Sequence, residues 1–125
     1  MQRSAWRSFA LTFLILTSCG KSLPEIEGVD LSSWKADKKG CAGERSKMKE
    51  AMVSQKDKLL ALSEIDLVKV LGKPDEQELY KRNQKFYYYY LEPSHECDGA
   101  SNEKSLRLVI RFNAMGLAKE IVVEE

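Results

Sequence analysis

The sequence predicts an α+β domain in which two helices pack on one face of a three-stranded antiparallel sheet, in the order α-α-β-β-β. Three observations predict it. Residues 44–71 carry apolar side chains at spacings of three and four, the signature of amphipathic helices. Residues 86–91 are a continuous aromatic run, which suits a pleated surface. The last twenty or so residues read as an alternating strand, a glycine-containing turn and a second strand. A chain of 125 residues with 43% hydrophobic content holds one small domain, and a core of that size leaves little surplus stability.

The elements follow in order. Residues 1–18 carry Arg3 and Arg7, then an apolar stretch from Phe9 to Leu16. This is the layout of a secretory signal peptide, too short to persist as a membrane-spanning helix. It ends Leu16-Thr17-Ser18-Cys19, a tetrad that resembles the bacterial lipobox. The resemblance implies a diacylglycerol thioether on Cys19, cleavage before it, and N-acylation (palmitate or a similar chain). Several acyl chains anchor stably, at about 0.8 kcal/mol per buried CH₂. Lys21, in place of an inner-membrane-retaining Asp, leans towards the outer membrane. The expected location is therefore the cell envelope, lipid-anchored.

Residues 19–40 read as the lipidated tether, with Gly20, Pro24, Gly28 and several serines. Trp34 is expected to dock that tether onto a domain spanning 41–125. Glu44 to about Leu60 is the first helix, with Met48, Ala51, Met52, Gln55 and Leu59 as its stripe. Ser63 with Asp66 is a capping signal for the second, whose stripe is Ile65, Leu67, Val68 and Leu71. Gly72 and Pro74 end it. Phe86 to Leu91 is the first strand; Phe86, Tyr88 and Tyr90 are expected under the helices. Leu106, Leu108, Ile110 and Phe112 share one face of the second strand. Asn113–Gly116 is the turn, and Leu117 to Val123 returns. In this register Phe112 faces Leu117, Leu108 faces Ile121 and Leu106 faces Val123. Arg107 and Arg111 then lie diagonally near Glu120 and Glu124.

Charge and cysteine usage narrow the function. With 20 basic and 19 acidic residues the chain lacks the bulk charge of a nucleic-acid binder. Without Arg3 and Arg7 the balance is 18 to 19, a net charge of −1. One of the three cysteines is taken by lipidation, which leaves Cys41 and Cys97. In an oxidising compartment they are expected to pair, with free thiols or a metal site shared with His95 and Asp98 as the competing readings. A bridge contributes ~4 kcal/mol at best in the chain-entropy model. Cys41 has no close Cys or His neighbour, and His95-Glu96 has Gly99 where a zincin needs its second histidine.

Three features are candidate sites. Tyr87 and Tyr89, with Val109 and Val122, are expected to form an apolar interaction patch on the open sheet face. Residues 35–58 hold eight Lys/Arg against four acids. Lys47, Lys49, Lys56 and Lys58 are the candidate contacts to anionic lipid headgroups. No nucleophile–base set, phosphate loop or cofactor motif appears, so no catalytic residue, metal or cofactor is expected.

The lipobox, the helix ending Val70-Leu71-Gly72-Lys73-Pro74, the aromatic strand and the hairpin Phe112-Asn113-Ala114-Met115-Gly116 together resemble the SmpA/OmlA family. These are small outer-membrane lipoproteins and include the BamE subunit of the β-barrel assembly machine. The resemblance covers roughly residues 60–123. It implies two helices on a three-stranded sheet and a non-catalytic role in protein interaction, in outer-membrane assembly or maintenance, with an envelope protein as partner. The alternatives are a lipid- or small-ligand-binding envelope sensor and an enzyme-inhibitor-like binding domain.

Overall fold

The computed structural model describes residues 22–99 and 104–125. The expected signal peptide (1–18) and the expected lipidation site, Cys19, lie outside the described residues. Among the described residues the fold is α+β, with three α-helices and a four-stranded antiparallel sheet.

Helix α1 (Leu31–Ala36) starts where Asp30 accepts hydrogen bonds from the Ser32 and Ser33 amides, satisfying donors that the first turn cannot. It belongs to the stretch expected as tether. Trp34 is fully buried and Ile26 nearly so, so the folded domain extends back well before residue 41. The short α1 escapes a periodicity test because six residues make under two turns.

Helix α2 (Glu44–Ser54) ends earlier than expected, and a separate 3-10 turn, Lys56–Leu59, follows it. Its N-terminus has no local cap. The cap comes from a distance: Asp37 accepts from the amides of Ala42 (2.6 Å) and Arg45 (2.9 Å). A carboxylate there also faces the positive end of the helix dipole.

Helix α3 (Glu64–Leu71) has the expected Ser63 cap, accepting from the Asp66 amide, and Gly72 at its end with φ 82°. Its buried face is Leu67, Val70 and Leu71. Ile65 and Val68, expected in the stripe, are exposed at 71% and 36%.

The sheet runs β1 (Glu76–Leu79), β2 (Lys85–Tyr90), β3 (Arg107–Phe112), β4 (Ala118–Glu124), each antiparallel to the next. Strand β1 corrects the expected three strands to four. Glu-Gln-Glu-Leu has poor strand propensity, and pairing with β2 holds it there. The parity of β2 is also the reverse of the expected one. Tyr87, Tyr89 and Leu91 join the helix-side core, whereas Tyr88 and Tyr90 do not.

Register between β3 and β4 is shifted by two residues from the expected pairing. Leu108 faces Val123, Ile110 faces Ile121 and Phe112 faces Ala118, with a bulge between. Asn113 causes the longer turn, since its side chain accepts from the amides of Met115 (3.0 Å) and Leu117 (3.1 Å). An even slip keeps every side chain on its face, so the expected inward set of β3 survives. Arg107 and Arg111 now stand directly opposite Glu124 and Glu120.

The core lies between the helices and one sheet face. It joins Trp34, Met52, Leu59, Leu67 and Leu71 to Tyr87, Tyr89, Leu108, Ile110, Phe112 and Ile121. The Tyr89 hydroxyl is satisfied by donating to the Gly72 carbonyl at 2.8 Å. The β4 edge is covered by residues 56–62: Ala61 donates to the Ala118 carbonyl, Ala118 to the Leu62 carbonyl, and Lys56 Nζ to the Ile121 carbonyl.

Candidate functional site

Pairing places three rows of side chains on the uncovered sheet face. Tyr90, Arg107 and Glu124 form one; Glu76, Tyr88, Val109 and Val122 the next; Glu78, Phe86, Arg111 and Glu120 the third. These groups saturate one another. The Arg107 guanidinium lies 4.2 Å from the centre of the Tyr88 ring and reaches Glu124 (2.8 Å) and Glu76 (3.4 Å). Tyr88 donates to Glu78 and Tyr90 to Glu76, both at 3.0 Å. Burial and the Glu78 partner push the Tyr88 phenol up to about 12.

The expected patch is therefore corrected. Tyr87 and Tyr89 face the helices and are 7% and 0% exposed, so they cannot serve an open-face contact. Val109 does lie on that face but is covered, and Val122 is exposed. The open face is a polar–aromatic lattice with little free apolar area. The large exposed apolar groups lie elsewhere, notably Leu79 (75%) and Tyr80 (60%) at the end of β1. Beside them Lys85, opposite Leu79, reaches Glu64 of α3 at 2.7 Å. The Lys85 hydrogen bond holds the Glu64 carboxyl below its usual range despite partial burial, and Tyr87 adds a second donor.

A second constellation is buried at the opposite end of β2. Arg45, 1% exposed, donates from Nε to the Trp34 carbonyl (3.0 Å) and from one terminal nitrogen to Asp75 (2.6 Å) and the Tyr90 carbonyl (3.2 Å). Its guanidinium stacks 4.8 Å from the Trp34 ring centre. Asp75 also accepts from the amides of Lys39 (2.9 Å) and Tyr90 (2.8 Å). One carboxylate thus ties the α1–α2 connection to the start of β1 and the end of β2. Counted from sequence alone, Arg45 belongs to a charged helix face and Asp37 to the tether. The only sequence signal for their burial was Asp37 standing just upstream of an uncapped helix.

The cysteines close this region. Cys41 and Cys97 form a disulfide with Cα atoms 5.4 Å apart, which settles the three readings in favour of the bridge. Next to it, Lys39 and Gly40 both have positive φ, 58° and 68°. A Cβ on Gly40 would come within 2.7 Å of the Glu92 carbonyl oxygen, so glycine is required there. The Lys39 carbonyl accepts from the Ser94 amide at 3.0 Å. Its ammonium pairs with Glu96, whose carboxylate holds the lysine above its usual range.

The four expected headgroup contacts do not share a face. Lys47 and Lys49, about 200° apart on the helix, point to different sides. Lys47 pairs with Glu44 at 3.2 Å, and Lys49 borders a depression with Val53, Leu106 and Val123. Lys56 is tied to the Ile121 carbonyl, and Lys58 to Gln55 at 2.8 Å. His95 is an exposed loop residue. Among the described residues no group of three or more His, Cys, Asp or Glu is placed to hold a metal, and no helix is long and apolar enough to cross a membrane. No known protein family, curated protein or solved structure matches the chain.

Proposed function

We propose that the protein is a lipid-anchored, non-catalytic lipoprotein of the cell envelope that acts as a protein-interaction module. The Cys41–Cys97 bridge carries this reading. Of the three cysteines, pairing leaves only Cys19, which stands in the lipobox-like tetrad behind a signal-like segment. A disulfide also suits an exported chain. The interaction reading is supported by Leu79, and by Tyr80 just after it, exposed apolar groups at the end of the edge strand β1, whose outer backbone groups have no partner among the described residues. The resemblance to SmpA/OmlA lipoproteins supports the outer membrane and an envelope protein partner.

The test places a photo-cross-linking residue at position 79 in the otherwise intact chain, in cells of the source organism. A single discrete adduct from position 79, missing when the probe stands at exposed Asp57, is expected. Identical adduct patterns from both positions, or none from either, would contradict the interaction module.

A further inference from the structure

The Lys39 turn, the end of α1 and the segment after α3 meet around a cavity of ≈ 210 Å³ lined by Lys35, Lys38, Lys39, Lys73, Pro74 and Asp75. We propose that this is a binding site for a phosphate-type oxyanion, and that the four lysines are its ligands. The inference is independent of where the protein resides.

The charge balance points to an anion. Lys35, Lys38 and Lys73 take part in no ion pair or side-chain hydrogen bond of the described residues. Lys39 is partly answered by Glu96 at the rim. Asp75, the one carboxylate of the lining, is turned away from this role. Its side chain is 3% exposed, and its two oxygens are engaged by Arg45 and by two backbone amides. The nearby Asp37 is 2% exposed and capping α2. The cavity wall is thus cationic, while its one carboxylate is paired from behind with Arg45.

The site is also built rather than floppy. The positive-φ turn at Lys39–Gly40 is fixed on four sides: by Asp75 on the Lys39 amide, by Ser94 on its carbonyl, by the Glu92 backbone against Gly40, and by the adjacent disulfide. Across the cavity, Lys35 lies over Gly72, where an added Cβ would come within 3.0 Å of its Cγ. That packs the Lys35 stem against Gly72, the residue before Lys73. Lysine acts on phosphate as a point charge, and four lysines around one cavity favour a group carrying more than one negative charge. The cavity admits a diphosphate or a phosphomonoester headgroup; shared chemistry makes a free anion and a phospholipid headgroup equivalent at the site.

The test titrates the full oxidised chain, held in neutral detergent at low salt, with inorganic pyrophosphate in one arm and short-chain phosphatidic acid in the other. Backbone amide shifts of residues 35–40 and 72–75 are followed by NMR. Saturable shifts there are expected, with affinity weakened about tenfold or more in Lys35→Gln/Lys73→Gln and little changed in Lys47→Gln/Lys49→Gln. All four are partly or fully exposed, and such surface changes leave folding nearly untouched. Shifts with pyrophosphate identify a free anion as sufficient. Shifts with phosphatidic acid alone, showing the same variant pattern, identify a lipid headgroup. No saturable shift in either arm, or equal weakening by both variant pairs, overturns the proposal.

Discussion

Replacing Arg45 by methionine keeps most of the side-chain volume and removes its charge and its fork of donors. The consequences can be worked from the geometry. The change deletes the hydrogen bonds to Asp75, Tyr90 and Trp34 and the stacking on the Trp34 ring. It leaves the Asp75 carboxyl without its cationic partner in a pocket where its side chain is 3% exposed. Breaking one side of a buried pair typically costs about 3–5 kcal/mol, because the remaining charge is uncompensated. A domain of this size has about 5–15 kcal/mol in all, so the variant is expected to lose a substantial share of its stability. Arg45→Lys keeps the charge but not the fork, and should cost about 1–2 kcal/mol. The Lys39 and Tyr90 amides donate to different oxygens of Asp75, so Arg45→Met/Asp75→Asn removes the stranded charge but keeps an acceptor for only one of them. Losing the uncompensated charge outweighs that one amide hydrogen bond. The double variant should therefore be more stable than Arg45→Met alone. Urea unfolding of the oxidised chains, extrapolated to water, measures all three. An Arg45→Met loss under about 1 kcal/mol, or a double variant less stable than the single one, would refute the network's role.

Other predictions follow from separate parts of the fold. Cys41→Ser/Cys97→Ser should lose about 4 kcal/mol in the chain-entropy model, given a separation of 56 residues; denaturant melts against the oxidised parent check it. Glu64 has a folded-state pKa below its unfolded one. Its contribution is present above the unfolded pKa and lost as pH falls through the folded one. The Tm gap between the parent and Glu64→Gln should accordingly be largest near neutrality and close at acid pH; a gap constant across that range would contradict the Lys85 pairing. Burial raises the phenols of Tyr87, Tyr88, Tyr89 and Tyr90. In Tyr80→Phe, which leaves only these four of the five tyrosines, phenolate absorbance should therefore stay low at pH 10.0, the ordinary phenol value. A near-half signal there would show that the β2 phenols are solvated.

What could be read from the sequence depended on contrast. Residues 106–112, which include strand β3, alternate Leu, Arg, Leu, Val, Ile, Arg, Phe, and that contrast alone marks the inward face. Strand β2 offers five aromatic residues in a row, which carry no period-two contrast, so its parity was undetermined. Leu91, in the core, would have fixed it by placing Tyr89 and Tyr87 on the same side. The Ser63 cap and Gly72 stop of α3 were legible because each has a local chemical cause. Strand β1 was not, because an acidic edge strand is held by its neighbour. The Arg45–Asp75–Asp37 network was hidden for a related reason: patterning treats charge as surface, and only tertiary pairing makes these charges buried. The lysine cavity likewise joins Lys73 to residues more than thirty positions earlier.

The proposed anchoring is tested most directly by mass spectrometry of the mature protein extracted from membranes of the source organism, without reduction. The account predicts an N-terminus at Cys19 carrying a diacylglycerol thioether and an N-acyl chain, with Cys41 and Cys97 joined in one disulfide-linked peptide pair. A chain that begins at Met1, or one that keeps an unmodified Cys19 thiol, would contradict it.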